Sequence, residues 1–259
     1  MYFDTHAHYE DKRFNSDRDE LLSSMPEGGI SLIVNCGCCV RSSRFGLGLA
    51  DKYPFVYASV GVHPHDAKGM GDDTVSELEK LLSHPKAVAV GEIGLDYHYD
   101  FSPRDVQALR FREQLELARR VKKPVIIHMR EATRDTLDIV GEFRDLSYVF
   151  HCFPGSWETA QFLLDMGCYL SFTGVITFAN ARKAVEVAGK MPLDRLMLET
   201  DCPYMAPEPM RGKRNSSLFV PYIAEKVAQI RGITKEEVAA ITTENGRRFF
   251  GIDAGEEGT

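Results

Sequence analysis

Ala87-Val88-Ala89-Val90-Gly91-Glu92-Ile93-Gly94-Leu95-Asp96 is the stretch on which the fold turns. Its first half is a continuous apolar run, which suits a parallel strand buried on both faces. Its second half sets a carboxylate, Glu92, among glycines; alone, that reads as a turn cap. Runs of the same kind recur on either side, such as Leu32-Ile33-Val34 and Val125-Ile126-Ile127. They give eight candidate strands, at residues 3–6, 31–36, 56–62, 87–93, 124–128, 148–153, 169–173 and 195–199.

Helical stretches lie between them. Ser102 is expected to cap a helix with Pro103 at its first position, where a missing N–H costs nothing. That helix would turn Val106, Leu109, Phe111, Leu115 and Ala118 to the core. Ser156 is expected to cap a helix over 157–166, with Gly167 as its left-handed end. Thr234 and Glu237 fit a capping box, and Phe219, Ile223, Val227 and Ile230 form a core stripe. Alternating strands and helices imply a parallel sheet. Eight such units without a linker point to one closed (β/α)8 TIM barrel, an α/β fold, over residues 1–251. The competing open doubly wound sheet lacks its glycine-rich fingerprint after the first strand. Residues 252–259 are expected to be a short, polar, disordered tail.

Composition narrows the classes. A chain of 259 residues, 44% hydrophobic and 27% charged, has the make-up of a globular protein with a full core. No apolar run approaches the roughly 20 residues that span a bilayer, so no membrane contact is expected. Met1-Tyr2-Phe3-Asp4 lacks the start of a secretory signal, and a cytoplasmic location follows as the expectation. A formal charge of -7 argues against a broad basic surface for duplex DNA. The six cysteines, in that setting, are expected to be free and structural.

The polar residues concentrate where a barrel carries its chemistry, at the C-terminal ends of strands. The first strand ends in Asp4-Thr5-His6-Ala7-His8, with Asp4, His6 and His8 expected on one face. Others end in Val62-His63-Pro64-His65, in Glu92, in His128-Met129-Arg130, in His151-Cys152-Phe153 and in Glu199-Thr200-Asp201. Six of the eight histidines lie at such ends. Each has a dull reading alone: a solvated loop, or a core imidazole bonded to a carbonyl. Burying so many ionisable groups together without a cation would cost several kcal/mol per charge. The cluster therefore reads as a metal centre.

As a set these motifs resemble the TatD family of metal-dependent deoxyribonucleases, within the larger amidohydrolase-like group. The likeness runs in order from residue 1 to about residue 250. It includes Leu198-Glu199-Thr200-Asp201-Cys202-Pro203 and the segment Ala206 to Asn215. Ser216 and Ser217 depart from it, standing where the family usually has an acidic residue and proline. The resemblance implies two divalent cations, of Zn, Mn, Mg, Ni or Co. His6 and His8 would hold one, with Asp201 as axial partner; Glu92 would bridge to the other, held by His128 and His151. Asp201, Glu92 and Glu199 would be the catalytic carboxylates. Asp201 would take a proton from the attacking water, and Glu199 would orient water or hold a ligand.

The resemblance also implies the substrate, DNA with single-stranded or frayed ends, cut 3′→5′ by a monomer. His63 would hydrogen-bond a phosphate oxygen. Arg130 would neutralise a phosphate or form a structural ion pair. Arg211, Lys213 and Arg214 would grip the strand or form a solvated loop. Tyr97 and Phe153 would stack a base or serve packing. The alternatives are a hydrolase of a small amide, lactone or phosphoester, and a non-catalytic binding barrel. Glu92, standing where such relatives often carry a carboxylated lysine, favours the nuclease.

Overall fold

A computed structural model describes the chain from residue 1 to residue 253. Its strands are β1 (Tyr2–Ala7), β2 (Ile30–Cys36), β3 (Val56–Val60), β4 (Ala87–Asp96), β5 (Val125–Arg130), β6 (Tyr148–Phe150), β7 (Tyr169–Phe172) and β8 (Leu196–Leu198). Its helices are α1 (Arg18–Ser23), α2 (Val40–Lys52), α3 (Thr74–Leu82), α4 (Arg104–Val121), α5 (Thr133–Gly141), α6 (Trp157–Asp165), α7 (Arg182–Lys190), α8 (Val220–Arg231) and α9 (Lys235–Phe250). The strands form one parallel sheet in sequential order. It curls until its edges meet. Ala7 bridges Cys202, the Asp201 N–H donates to the His6 carbonyl at 2.9 Å, and the His8 N–H donates to the Cys202 carbonyl at 2.8 Å. This is the expected (β/α)8 barrel.

One buried cluster draws on every strand: Phe3, Leu32, Tyr57, Val88, Ile126, Val149, Tyr169 and Met197. Side chains from all eight strands can meet only inside the barrel. Phe249, Phe250 and Ile252 join that cluster, with Phe250 meeting Phe3 at 5.9 Å between ring centroids. Ile252 is therefore buried, not part of a polar tail. Residues 254–259 of that expected tail lie outside the described residues.

Strand side chains alternate, so interior parity carries forward to the C-terminal mouth. It leads from Val88 to Glu92, from Ile126 to His128, from Val149 to His151 and from Met197 to Glu199 and Asp201. β1 breaks the rule, since Phe3 and His6 both face inward. The β1–β2 ladder is irregular between Asp4 and Ala7, which accounts for the switch. β4 runs past its expected end at residue 93 because it pairs with β5 as far as Asp96 and Arg130. Gly94 permits this closeness: at φ 142°, a Cβ there would stand 2.0 Å from the His128 carbonyl oxygen.

The helix caps divide. Ser156 accepts the Thr159 N–H, and Thr234 and Glu237 form their capping box. Ser102 does not cap α4; Pro103 holds that position. The buried Ser102 hydroxyl instead donates to the His65 carbonyl at 2.9 Å and accepts the Lys68 N–H at 3.0 Å. Leu109, expected in the core, is exposed, while Gln107 and Gln114 are buried. Gln114 accepts the Val62 N–H at 2.7 Å and donates to the Val62 carbonyl at 3.0 Å. Gln107 accepts the Asp96 N–H at 2.9 Å and donates to the carbonyls of Asp96 and Ser102. This helix face meets frayed strand ends, where backbone needs amides more than alkyl groups. All six cysteines are free. Among the described residues no helix is long and apolar enough to cross a membrane.

Candidate metal centre

The mouth of the barrel encloses a cavity of about 820 Å³. Glu92 stands at its floor with its two oxygens divided. Oε2 faces His6 Nε2 at 3.2 Å and His8 Nε2 at 3.7 Å. Oε1 faces His128 Nδ1 at 2.7 Å, His151 Nε2 at 2.9 Å and His63 Nε2 at 3.4 Å. Asp201 joins the first group, its Oδ1 3.3 Å from His8 Nε2 and 3.8 Å from His6 Nε2. All six expected ligands thus converge on one place.

Outer groups orient three of the four imidazoles expected to hold metal. His8 Nδ1 lies 3.0 Å from Glu10 Oε1 and 3.1 Å from the Cys36 carbonyl oxygen. His128 Nε2 lies 3.0 Å from Asp96 Oδ2, and His151 Nδ1 lies 3.2 Å from Glu199 Oε1. Acceptors at those nitrogens place the protons there. The opposite nitrogens are then the ones turned to Glu92 and to one another, and each offers a lone pair where a cation replaces a proton. His6 and His8 bring their Nε2 atoms to 3.1 Å, and His128 Nδ1 and His151 Nε2 stand 3.2 Å apart. His6 Nδ1 is buried without a hydrogen-bond partner among the described residues.

Such a set of facing lone pairs and carboxylates fits divalent cations. The electrostatics agree. Burial pushes the pKa values of His8, His128 and His151 down, yet their neighbours outweigh it and hold all three above the ordinary imidazole value: Cys38, Glu10 and Asp201 for His8, Asp96 and Glu92 for His128, and Glu92 and Glu199 for His151. Burial raises Glu92, and the surrounding imidazoles outweigh that in turn, keeping it well below the carboxylate range. The site calls for positive charge.

His63 differs from the ligands. Its Nδ1 accepts the His65 N–H at 3.1 Å, so its proton sits on Nε2, facing the cavity. Burial drives its pKa down to about 4 against the pull of Glu92, so it is neutral at pH 7. It is a hydrogen-bond donor there.

The remaining expectations separate. Glu199 is buried and off the cavity; it accepts from His151 and from the Cys152 N–H at 2.6 Å, so it positions the His151 ring. Asp4 does not share the site of His6 and His8. It accepts from the Thr200 N–H at 2.9 Å and the Ser217 hydroxyl at 2.6 Å, tying β1 to the segment after β8. Arg130 does line the cavity, its guanidinium 4.8 Å over Tyr99, with no ion-pair partner among the described residues. Arg211, Lys213 and Arg214 do not line it. Arg214 is clamped to Asp17 at 2.7 Å and lies over Phe14, Arg211 lies over Phe178, and Lys213 turns to Met210. Tyr97 is held by Asp135 and Arg104, and Phe153 is buried, so neither offers a free face.

Sequence reading gave no role to Asp96, Glu10 or His65. Asp96 holds both His128 and His65, each at 3.0 Å from Oδ2. Its even spacing from Glu92 along β4 was a usable signal.

The family model for TatD-related DNases matches residues 3–251. The chain belongs to this family. It is a TatD-family metal-dependent hydrolase, and its relatives agree. It is 42% identical over 255 residues to the metal-dependent hydrolase YabD of Bacillus subtilis, covering 98% of this chain and 100% of YabD. It is 35% identical over 260 residues to an Erwinia tasmaniensis protein named 3'-5' ssDNA/RNA exonuclease TatD, covering 96% of this chain and 100% of that one. The solved structure of YjjV, a TatD homologue from Escherichia coli, superposes with a TM-score of 0.91 at 29% identity, covering 97% of this chain and 98% of YjjV.

Proposed function

We propose that this TatD-family hydrolase cleaves phosphodiester bonds of DNA, releasing nucleotides from the 3′ ends of single strands or frayed duplexes. The division of Glu92 between two donor groups carries the reading. His6, His8, Asp201 and Glu92 would hold one cation, and Glu92, His128 and His151 the other. When bound, two divalent cations supply charge to oxygens in in-line displacement and acidify a water; Zn, Mn, Mg, Ni and Co are all candidates.

The chain's own residues supply the rest. Asp201 opens to the cavity, and its carboxyl is anionic: burial raises its pKa, but the His8 hydrogen bond and neighbouring imidazoles outweigh that. It is placed to accept the proton of the attacking water. His63 donates its Nε2 proton to a non-bridging phosphate oxygen. Arg130, the one lysine or arginine among the residues lining the cavity, neutralises the same phosphate. Glu199 holds His151 in register throughout. The polarity of digestion is supported by the name of the Erwinia relative.

The test is a metal-stripped chain given each of those cations and a 5′-labelled single-stranded oligonucleotide. Products should shorten from the 3′ end, and Glu92→Gln should reduce their release by at least about 10³-fold. No release with any cation, or full activity in Glu92→Gln, overturns the proposal.

A further inference from the structure

Three large hydrophobic side chains left exposed, Tyr99, Phe101 and Tyr204, line the same cavity as Glu92. Exposed apolar surface is unfavourable by roughly 25 cal/mol per Å², so a cluster at a functional mouth calls for an occupant. Tyr99 and Phe101 are 48% and 54% exposed, and their rings lie within 13° of parallel at 5.1 Å between centroids.

The pair is built to stay in place. Asp96 Oδ1 accepts the N–H groups of both His98 and Tyr99 at 3.0 Å. Asp100, in the left-handed region at φ 50°, is fixed to Arg104 through bonds of 2.9 and 2.7 Å. The His65 ring stands edge-on to both aromatics, 5.4 Å from Tyr99 and 4.8 Å from Phe101. That same ring lies 4.3 Å from His63, and Asp96 links it to His128. The aromatic pair is thus two ring contacts from the phosphate donor, and Arg130 lies over Tyr99.

We infer that Phe101, backed by the Tyr99 ring, forms a stacking platform for the unpaired nucleobase next to the phosphate held by His63 and Arg130. The inference rests on the nuclease reading of the site. A flat, half-exposed aromatic stack beside one unpaired guanidinium matches the two parts of a nucleotide, base and phosphate. A base inside a duplex has both faces covered by its neighbours and cannot use the platform. Tyr99 and Phe101 therefore set a preference for unpaired ends without reading sequence.

Two measurements test this on the metal-loaded chain. The first compares release from oligonucleotides whose 3′-terminal residue carries a base or is abasic. Phe101→Ala should raise KM for base-bearing ends about tenfold, and more than for abasic ends. Phe101→Trp should keep the preference and Phe101→Leu should lose it. The second reads fluorescence of a 3′-terminal 2-aminopurine, which stacking quenches; Phe101→Ala should relieve the quenching at saturation. Equal penalties on both kinds of end, or unchanged quenching, overturn the platform while leaving the nuclease reading intact. Quenching by Phe101 with no release from either end overturns the nuclease reading and leaves the platform standing as a base-binding site.

Discussion

His63 and His128 sit side by side and handle a proton in opposite ways. His63 gives its Nδ1 lone pair to the His65 N–H and keeps a proton on Nε2. His128 donates from Nε2 to Asp96 and turns Nδ1 to Glu92 at 2.7 Å, where a cation would take the place of a proton. On the proposed function, one would donate to substrate and the other would hold metal. His128→Ala should therefore lose about one equivalent of bound metal by elemental analysis, along with activity. His63→Ala should keep its metal and lose about 10²-fold in kcat/KM, the loss typical of one removed transition-state donor. Metal loss in His63→Ala would instead make it a ligand. The residues that converge on Glu92 were legible in the sequence because histidines and carboxylates recur at strand ends, and their division into two donor groups followed from the family resemblance. Asp96 was legible only as a second carboxylate at even spacing from Glu92 on β4; its reach to both His65 and His128 depends on the pairing of β4 with β5. The basic loop misled for a similar reason: Arg214 turns away because Asp17, distant in sequence, draws it off.

At the scale of elements, the strands were legible and their ends were not. β3, β6 and β8 stop before His63, His151 and Asp201, and the backbone turns out of the ladder to present those side chains. Cys152 at φ 40° and Asp201 at φ 51° take left-handed conformations there, at an expense of order 1 kcal/mol each. The chain beyond β3 and the end of β4 are held by α4. Gln107 and Gln114, seven residues apart on one helix face, act as surrogate backbone for Val62 and Asp96. A periodicity argument that counts only apolar residues overlooks such positions, and it placed Leu109 inward instead. Either glutamine changed to alanine strands buried N–H and C=O groups, so Gln107→Ala or Gln114→Ala should lower stability by about 2–4 kcal/mol. Urea denaturation measures this. Leu109→Ala is the control on the same helix and should change stability by less than about 0.5 kcal/mol. Equal effects would mean that the amide grip contributes nothing beyond helix packing.

For the molecule as a whole, the barrel was legible because eight apolar runs alternate with helices and no glycine-rich fingerprint marks an open sheet, and its chemical end because the histidines gather there. The balance of charge at that end has a consequence for folding. Buried lone pairs and carboxylates face each other across Glu92 with too little positive charge between them, so the folded state binds cations that the unfolded chain holds far less well. Any ligand selective for the native state stabilises it by mass action. Metal at one hundred times its Kd should add about 2.7 kcal/mol. For a domain of this size, each kcal/mol moves Tm by roughly 2–4 °C. The chain in Mn or Zn should therefore melt about 5–10 °C above the same chain in a chelator, by scanning calorimetry. Glu92→Gln weakens both donor groups at once, so its gain should be less than half of that. Arg214→Ala removes a buttress outside the cavity; it should melt lower in both conditions and keep the full difference. A native chain whose Tm ignores the chelator would show that its converging imidazoles hold protons and not metal.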